Sequence, residues 1–137
     1  MKEFVYLGEV DFVDTDAGGL AHFTNVLRWV EKAEFAWFKS FGVKSFEPLE
    51  EGGYIGSPRV KVQCEYRIAM LPCEPYAVVL APARVGKTSF TYSFKVLKNR
   101  DPEKIAAEGE ITIVRVNVKK NAEFVKRPLP EEFYHLD

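Results

Sequence analysis

The chain has 137 residues, of which 47% are hydrophobic and 28% are charged. This length and composition predict one globular domain over residues 1–137, with enough apolar surface to build a core. The 19 basic and 20 acidic side chains give a formal net charge of -1. A charge this small argues against charge-driven binding, so we expect no nucleic-acid partner.

Cysteine content and hydropathy together predict the cellular compartment. Cys64 and Cys73 are too far apart for a CxxC motif, and two thiols do not make a disulfide scaffold, which favours a reducing environment. Charged residues interrupt the first ten positions, and no apolar stretch of about 20 residues could span a bilayer. We therefore expect a cytoplasmic protein that does not insert into membranes.

The first part of the chain predicts a strand, a tight turn and a long helix. β-branched and aromatic residues over positions 4–12 favour a strand, which ends at the turn-forming residues 14–19. Thr24 or Asn25 can cap the helix that follows, and Gly42 stands where a left-handed residue would end it. Most of the helix surface is predicted to be apolar. The central apolar stripe consists of Val26, Val30, Ala33, Trp37 and Phe41.

The rest of the chain predicts a loop followed by antiparallel strands. Pro48 and the neighbouring glycines make residues 46–56 a loop or at most a short helical turn. Alternating side chains then predict a half-buried strand over residues 60–68. Three further strands follow, over residues 76–85, 89–98 and 105–118. One long helix and a meander of strands give an α+β fold in which a mostly antiparallel sheet curls around the helix.

Two details of the last third refine this prediction. The apolar phase slips after Ile113, which indicates a β-bulge or a stretch that is buried on both faces. Pro130 can start a short helix that closes the chain.

Three common chemistries are disfavoured by the motifs. Residues 85–88 end like a nucleotide-binding P-loop, but Ala81 stands where that loop needs its first glycine. His22 and His135 are the two histidines, and no GxSxG motif accompanies them, which disfavours a Ser-His-Asp hydrolase. The carboxylates near His22 lack the spacing of a recognised metal site, so no metal is predicted.

A carboxylate on the glycine-rich turn before the helix is the strongest chemical candidate. Such a carboxylate lies close to the unsatisfied N–H groups and the positive end of the helix dipole. This arrangement suits a reaction with an anionic transition state. The alternative is that Asp14 and Asp16 only cap the turn, whose glycines permit positive φ.

The same residues carry a resemblance to a known family. Residues 14–25 have the sequence DTDAGGLAHFTN and lead into an aromatic-rich helix. This string resembles the signature of the 4-hydroxybenzoyl-CoA thioesterase family of hotdog-fold acyl-CoA thioesterases. Residues 56–58, 87–90 and 127–130 fall in the family's order, so the resemblance covers nearly the whole chain and implies a hotdog fold.

The resemblance also implies roles for residues of the turn. Asp16 matches the family's catalytic carboxylate, which acts as nucleophile or as general base toward the thioester. Backbone N–H groups near Phe23 match the oxyanion site, and Asn25 matches a structural anchor. Many members carry His or Tyr where this chain has Phe23, which offers only its backbone. His22, one place earlier, either takes a polar role or is a partly exposed turn residue, and we favour a site that depends on Asp16 and backbone donors.

For the coenzyme, the resemblance implies a pantetheine arm that follows two segments at strand edges. Arg59 and Lys87 suit phosphates, and neighbouring hydroxyl groups can donate hydrogen bonds. The residues implied for coenzyme binding are Ser57, Pro58, Arg59, Gly86, Lys87, Thr88 and Ser89. A second basic cluster either faces the nucleotide or is a solvated surface, and it comprises Lys119, Lys120, Lys126 and Arg127.

The implied activity is that of a thioester hydrolase that needs no metal or other cofactor, because coenzyme A is part of the substrate. The donor is an acyl-CoA or an acyl-carrier protein, and the site lies between subunits of a homodimer or homotetramer. The acyl group is aromatic or a short to medium aliphatic chain. Several aromatic side chains either line its pocket or belong to the core, namely Trp29, Phe35, Trp37, Phe38 and Tyr54.

Two alternatives stay open beside hydrolysis. A hotdog dehydratase or hydratase acting on acyl thioesters would need a histidine paired with an acid, which His22 lacks in the sequence. A non-catalytic protein that binds acyl-CoA is the other alternative, and a fold by itself does not separate it from an enzyme.

Overall fold

The computed structural model describes residues 2–136, which contain one long helix, α1 (Phe23–Ser40). Short 3-10 helices lie at Phe12–Asp14 and Glu131–His135. The strands of this region are β1 (Phe4–Glu9), β2 (Glu47–Pro48), β3 (Tyr54–Gly56), β4 (Arg59–Tyr66), β5 (Pro75–Val85), β6 (Ser89–Lys98), β7 (Ile105–Val114), β8 (Val116–Val118) and β9 (Phe124–Lys126).

The strands form a main sheet and a smaller one. The main sheet has the order β1-β5-β6-β7-β4, and each neighbouring pair is antiparallel. The smaller sheet has the order β2-β3-β8-β9 and is also antiparallel. One long helix against a curved antiparallel sheet confirms the predicted α+β class.

Helix α1 packs on the main sheet through an aromatic core. Trp29 stacks on Tyr76 with ring centroids 4.6 Å apart, and Trp37 meets Tyr92 edge-on at 5.8 Å. Phe133 of the terminal 3-10 helix closes one end of this core. Burial of such large rings contributes most of the favourable free energy of packing.

The ends of α1 agree only in part with the sequence prediction. Gly42 follows the helix with a φ of +85°, as predicted for a left-handed terminating residue. The N-cap, however, is His22 rather than Thr24 or Asn25, so the helix begins two residues before Asn25. The His22 ring accepts a hydrogen bond from the Thr24 N–H and so replaces the usual serine, threonine or asparagine oxygen.

Two segments differ from the prediction because they form the smaller sheet. Residues 46–56 are not a plain loop, since they contain β2 and β3. The run predicted as one strand over 105–118 is divided at Arg115 into β7 and β8, which belong to different sheets. This change of sheet explains the slip of the apolar phase after Ile113.

Strand β4 forms one edge of the main sheet, and its apolar side chains are more exposed than predicted. Val62 and Tyr66 lie opposite the buried residues Ile111 and Ala107, so they share the face that carries the core. Nevertheless 45% of Val62 and 47% of Tyr66 remain exposed. The predicted strand is present, at residues 59–66 instead of 60–68, but residues 2–136 cover its apolar side only in part.

Candidate active site

The turn that carries Asp16 is closed by its own backbone. Thr15 faces Ala21 across an isolated antiparallel bridge, and the Asp16 N–H donates to the Leu20 carbonyl at 3.0 Å. The Asp16 Oδ1 accepts the N–H of Gly18 at 2.9 Å, which makes an Asx turn. Asp16 is exposed, and within residues 2–136 its second carboxylate oxygen accepts no hydrogen bond.

Asp14 holds this turn on the core. Its buried carboxylate accepts the Trp29 Nε1–H at 3.2 Å and the Asp11 N–H at 3.0 Å. The carbonyl oxygen of Asp14 accepts the His22 N–H at 2.9 Å and the Asn25 Nδ2–H at 2.7 Å. Asp14 therefore has a structural role, and Asn25 ties the first turn of α1 to the loop that carries Asp16.

The start of α1 leaves one backbone donor open. The Thr24 N–H donates to the His22 Nδ1 at 3.3 Å, and the Thr24 hydroxyl lies 2.7 Å from the same nitrogen. Within residues 2–136 the Phe23 N–H has no acceptor. The Phe23 ring is 61% exposed and stacks on His22, while the Tyr66 hydroxyl donates to the Phe23 carbonyl at 2.9 Å.

The residues predicted to bind coenzyme come together from two strands. Arg59 at the start of β4 lies opposite Ile113, which in turn lies opposite Phe90 near the start of β6. Because β7 lies between β4 and β6, two groups of residues flank the end of β7 at the same end of the main sheet. They are the segment of Ser57, Pro58 and Arg59 and the turn of Gly86, Lys87, Thr88 and Ser89. The turn is closed by the Gly86 N–H, which donates to the Ser89 carbonyl at 2.8 Å, and Lys87 is exposed on it.

We refer to residues 57–59 and 86–89, which are predicted to bind coenzyme, as the coenzyme segments. The Asp16 turn and these segments lie at opposite ends of the main sheet. Glu9 at the end of β1 lies opposite Pro75, the first residue of β5, and the Asp16 turn follows β1 closely. Gly86, in contrast, follows the last residue of β5. An 11-residue strand extends about 33 Å along its path. One chain therefore does not bring Asp16 and Lys87 to the same end.

Arg59 is held by a buried glutamate that sequence reasoning missed. Glu34 on α1 is fully buried, and its carboxylate accepts hydrogen bonds from Arg59 and, at 2.7 Å, from the Tyr92 hydroxyl. The Arg59 guanidinium also lies over the Phe35 ring, 5.8 Å from its centroid. Because a carboxylate neutralises Arg59, the exposed Lys87 is better placed to meet a phosphate. The sequence offered one indication of this contact, namely that Glu34 directly follows Ala33 of the apolar stripe of the predicted helix.

Burial raises the pKa of Glu34 above its ordinary value of 4.5, and this effect outweighs the opposing influence of Arg59 and Tyr92. The Glu34 carboxyl group therefore binds its proton more tightly in the folded state than in the unfolded state. Stability from this source is fully present below pH 4.5 and is lost as the pH rises through the folded pKa.

We expect Glu34→Gln to remove that pH dependence. Urea unfolding of the wild type and the variant from acidic to neutral pH measures this dependence, with Glu50→Gln at an exposed glutamate as the control. The free energy of unfolding of the wild type, relative to Glu34→Gln, should fall as the pH rises. A difference that instead grows with pH would mean that Arg59 outweighs burial.

The aromatic side chains considered for an acyl pocket separate into two groups. Trp29, Trp37 and Phe38 are buried and belong to the core. Phe35 and Tyr54 are partly exposed. Phe35 lines an apolar cleft of about 460 Å³, together with Lys39, Gly42, Val43, Lys44 and Ser45.

The second basic cluster is spread along β8, β9 and their connection. Lys119 and Lys120 are exposed and line a cavity of about 350 Å³. Arg127 is partly buried and donates to the Asn117 Oδ1 at 3.0 Å. Arg127 therefore has a structural contact, whereas Lys119 and Lys120 are open to solvent.

Two features are absent from residues 2–136. Among residues 2–136, no helix is both long enough and apolar enough to cross a membrane. The same residues contain no group of three or more His, Cys, Asp or Glu side chains placed to hold a metal ion.

A long helix against a curved antiparallel sheet, with an exposed aspartate on the turn before the helix, defines the chain as a hotdog-fold protein of the thioesterase type. The sequence matches the Thioesterase-like superfamily over residues 10–135. The chain belongs to this superfamily, which confirms the family resemblance and the prediction of a thioester hydrolase.

Individual relatives agree with this assignment. The 1,4-dihydroxy-2-naphthoyl-CoA hydrolase of Prochlorococcus marinus (strain MIT 9303) is 28% identical over 116 residues, which cover 80% of this chain and 75% of that protein. The structure of a gentisyl-coenzyme A thioesterase has a TM-score of 0.77 at 21% identity, covering 93% of this chain and 97% of the other. A 1,4-dihydroxy-2-naphthoyl-CoA thioesterase from Synechocystis has a TM-score of 0.78 at 16% identity, covering 97% and 93%. The two structural likenesses support the hotdog fold.

Proposed function

We propose that this protein hydrolyses the thioester bond of an acyl-CoA, with Asp16 as the catalytic carboxylate and the Phe23 N–H as oxyanion donor. The proposal is carried by an exposed carboxylate on the closed turn, followed seven residues later by an open backbone donor at the start of α1. Asp16 offers an exposed carboxylate, and the backbone donor at the start of α1 has no acceptor within residues 2–136. Membership in the thioesterase-like superfamily supports the same chemistry.

Two routes use the same groups. As a nucleophile, the Asp16 carboxylate attacks the thioester carbon, the thiolate leaves, and water hydrolyses the resulting mixed anhydride. As a general base, Asp16 removes a proton from water, which attacks the same carbon, and the proton then goes to the departing thiolate. In both routes the carbonyl oxygen becomes an oxyanion, which the Phe23 N–H and the helix dipole stabilise.

We infer that the complete site lies between two copies of the chain. Strand β4 ends the main sheet, and within residues 2–136 it pairs with β7 alone. If two β4 edges pair antiparallel, the Tyr66 end of one copy meets the Arg59 end of the other. The Asp16 turn of one copy then lies at the coenzyme segments of the second copy. This dimer also covers the exposed apolar side of β4.

The substrate that we propose is an aromatic or short to medium aliphatic acyl-CoA. Relatives named for 1,4-dihydroxy-2-naphthoyl-CoA and gentisyl-CoA support the aromatic choice. The apolar cleft beside Phe35 offers room for either class.

Thiol release from a panel of thioesters tests the proposal. The panel holds hydroxylated aromatic acyl-CoAs, aliphatic acyl-CoAs of two to ten carbons, and the same acyl groups on acyl-carrier protein. We expect hydrolysis of at least one class of acyl-CoA. Binding of acyl-CoA without any hydrolysis would contradict the proposal and favour a non-catalytic binding protein. Addition of water to an enoyl thioester without thiol release would favour a hydratase.

A further inference from the structure

Arg115 is a buried cation at the junction between β7 and β8. Only 3% of its surface is exposed. Its Nη1 donates to the Ser57 hydroxyl at 2.9 Å, and its Nη2 donates to the Lys44 carbonyl at 3.2 Å. Its Nε has no partner, and no carboxylate of residues 2–136 lies within 4.0 Å of the guanidinium.

The backbone of Arg115 makes a second set of connections. Its N–H donates to the Thr88 carbonyl at 2.9 Å, and its carbonyl accepts the Arg127 N–H at 3.0 Å. One residue therefore joins Ser57, which precedes β4, to Thr88, which precedes β6. These two positions belong to the two segments that the family resemblance implies for coenzyme binding, although the chain separates them by about 30 residues.

The charge of Arg115 is poorly compensated. Burial and the neighbouring Arg127 lower its pKa, while Glu47 opposes them. A guanidinium nevertheless stays protonated in proteins, and a buried charge without an ion partner is costly to the fold. The exposed Lys87 lies on the adjoining turn. An anion at this end of the sheet would therefore meet an excess of positive charge.

We propose that Arg115 is a positioning residue for the nucleotide half of the coenzyme. Its guanidinium and backbone hold Ser57 and Thr88 in one cradle, and its unpaired charge makes that cradle attractive to the phosphates of a 3′-phosphoadenosine nucleotide. The identity of this ligand rests on the proposed function, in which coenzyme A is part of the substrate. The role does not require Arg115 to touch the ligand, because it acts through Ser57, Thr88 and the local potential.

Binding of adenosine 3′,5′-bisphosphate, measured by calorimetry, tests the cradle without any hydrolysis. We expect Arg115→Met to weaken binding by about tenfold, because Ser57 loses its hydrogen bond to the guanidinium and the positive potential at the cradle falls. Arg115→Lys, which keeps the charge, should lose less. Ser57→Ala leaves the buried charge in place and removes one hydrogen bond, so it serves as a second variant if Arg115→Met does not fold. Circular dichroism checks the fold of each variant.

Arg100→Met is the matched control for this series. Arg100 also donates to backbone carbonyls, those of Gly8 and Tyr76, but it lies near the other end of β5. Its replacement should leave nucleotide binding unchanged. Equal weakening by Arg100→Met, or unchanged binding in folded Arg115→Met and Ser57→Ala, would overturn the proposal.

A comparison of two substrates separates this inference from the proposed function. Arg115→Lys should raise KM for an acyl-CoA while kcat changes little, and it should not affect the matching N-acetylcysteamine thioester, which lacks the nucleotide. An equal loss on both thioesters would overturn the positioning role. If the wild type hydrolyses neither thioester but binds the bisphosphate in an Arg115-dependent way, the proposed function fails and the nucleotide cradle stands.

Discussion

Asp16→Asn should lower kcat for acyl-CoA hydrolysis by about 10³-fold or more, since it removes the carboxylate that we propose attacks the thioester or activates water. The fold should not change. The amide oxygen of asparagine can still accept the Gly18 N–H, so the Asx turn that shapes the loop is retained. Binding of a non-hydrolysable acyl-CoA analogue should therefore persist while turnover is lost.

The chain supplies a matched control for this variant. The Asp101 Oδ1 accepts the Glu103 N–H at 2.9 Å, which is the same two-residue Asx turn at a site far along the chain. Asp101→Asn should leave hydrolysis unchanged. An Asp16→Asn protein that retains even a tenth of wild-type kcat would exclude a carboxylate mechanism at this position. Intact-protein mass spectrometry during a single turnover then distinguishes the routes, because only the nucleophilic one adds the acyl mass to the enzyme.

Val62→Glu should convert the protein to monomers and abolish most of its hydrolysis. Val62 lies near the middle of β4, so in a two-fold antiparallel pair of β4 strands the new carboxylate lies close to its own copy. Burial of an unpaired charge costs several kcal/mol, which weakens association by about 100-fold or more. Activity should fall with the dimer fraction, because the proposed site takes residues from both copies.

Val5→Glu makes the same change on the opposite edge of the main sheet. Val5 on β1 is 52% exposed, close to the 45% of Val62, so solvent exposure in the single chain does not distinguish the two positions. Val5→Glu should leave both the dimer and the activity intact. Sedimentation velocity and thiol release on the two variants measure the outcome. A fully active Val62→Glu monomer would contradict a site shared between copies.

The parts of the fold that the sequence predicts well are those set by local pattern. β6 has the predicted bounds of residues 89–98 because its side chains alternate between the core and the outer face. Gly42 marks the end of α1 because a positive φ is costly for other residues. The N-cap at His22 was missed, since histidine is not among the residues preferred there.

The parts that were missed depend on contacts distant in sequence. Glu34 and Arg115 are charged residues within largely apolar runs, and nothing in their own neighbourhood reveals that Tyr92 or Ser57 will meet them. The exposure of β4 was missed because alternating apolar and polar side chains indicate that a strand has an apolar side. They do not indicate which surface covers that side. The cytoplasmic location and the oligomeric state stay predictions.

In the candidate site, too, local sequence predicts some features, whereas others depend on contacts distant in sequence. The signature around Asp16 identifies the turn, and the bond from Asn25 to the Asp14 carbonyl agrees with an anchoring role. The separation of the Asp16 turn from the coenzyme segments could not be predicted from a motif, because it follows from the direction in which β5 crosses the sheet. Topology thus decides which predicted residues can share a site.

The indole of Trp29 gives the protein an internal optical reporter. The indole Nε1–H donates to the carboxylate of Asp14, which holds the turn that carries Asp16, and one face of the ring stacks on Tyr76 in the core. A change in the conformation of this turn therefore alters the polarity around the Trp29 indole, which is an intrinsic fluorophore. With Trp37→Phe to silence the second tryptophan, emission from Trp29 would follow ligand arrival at the turn in real time, without a label and without a chromogenic substrate.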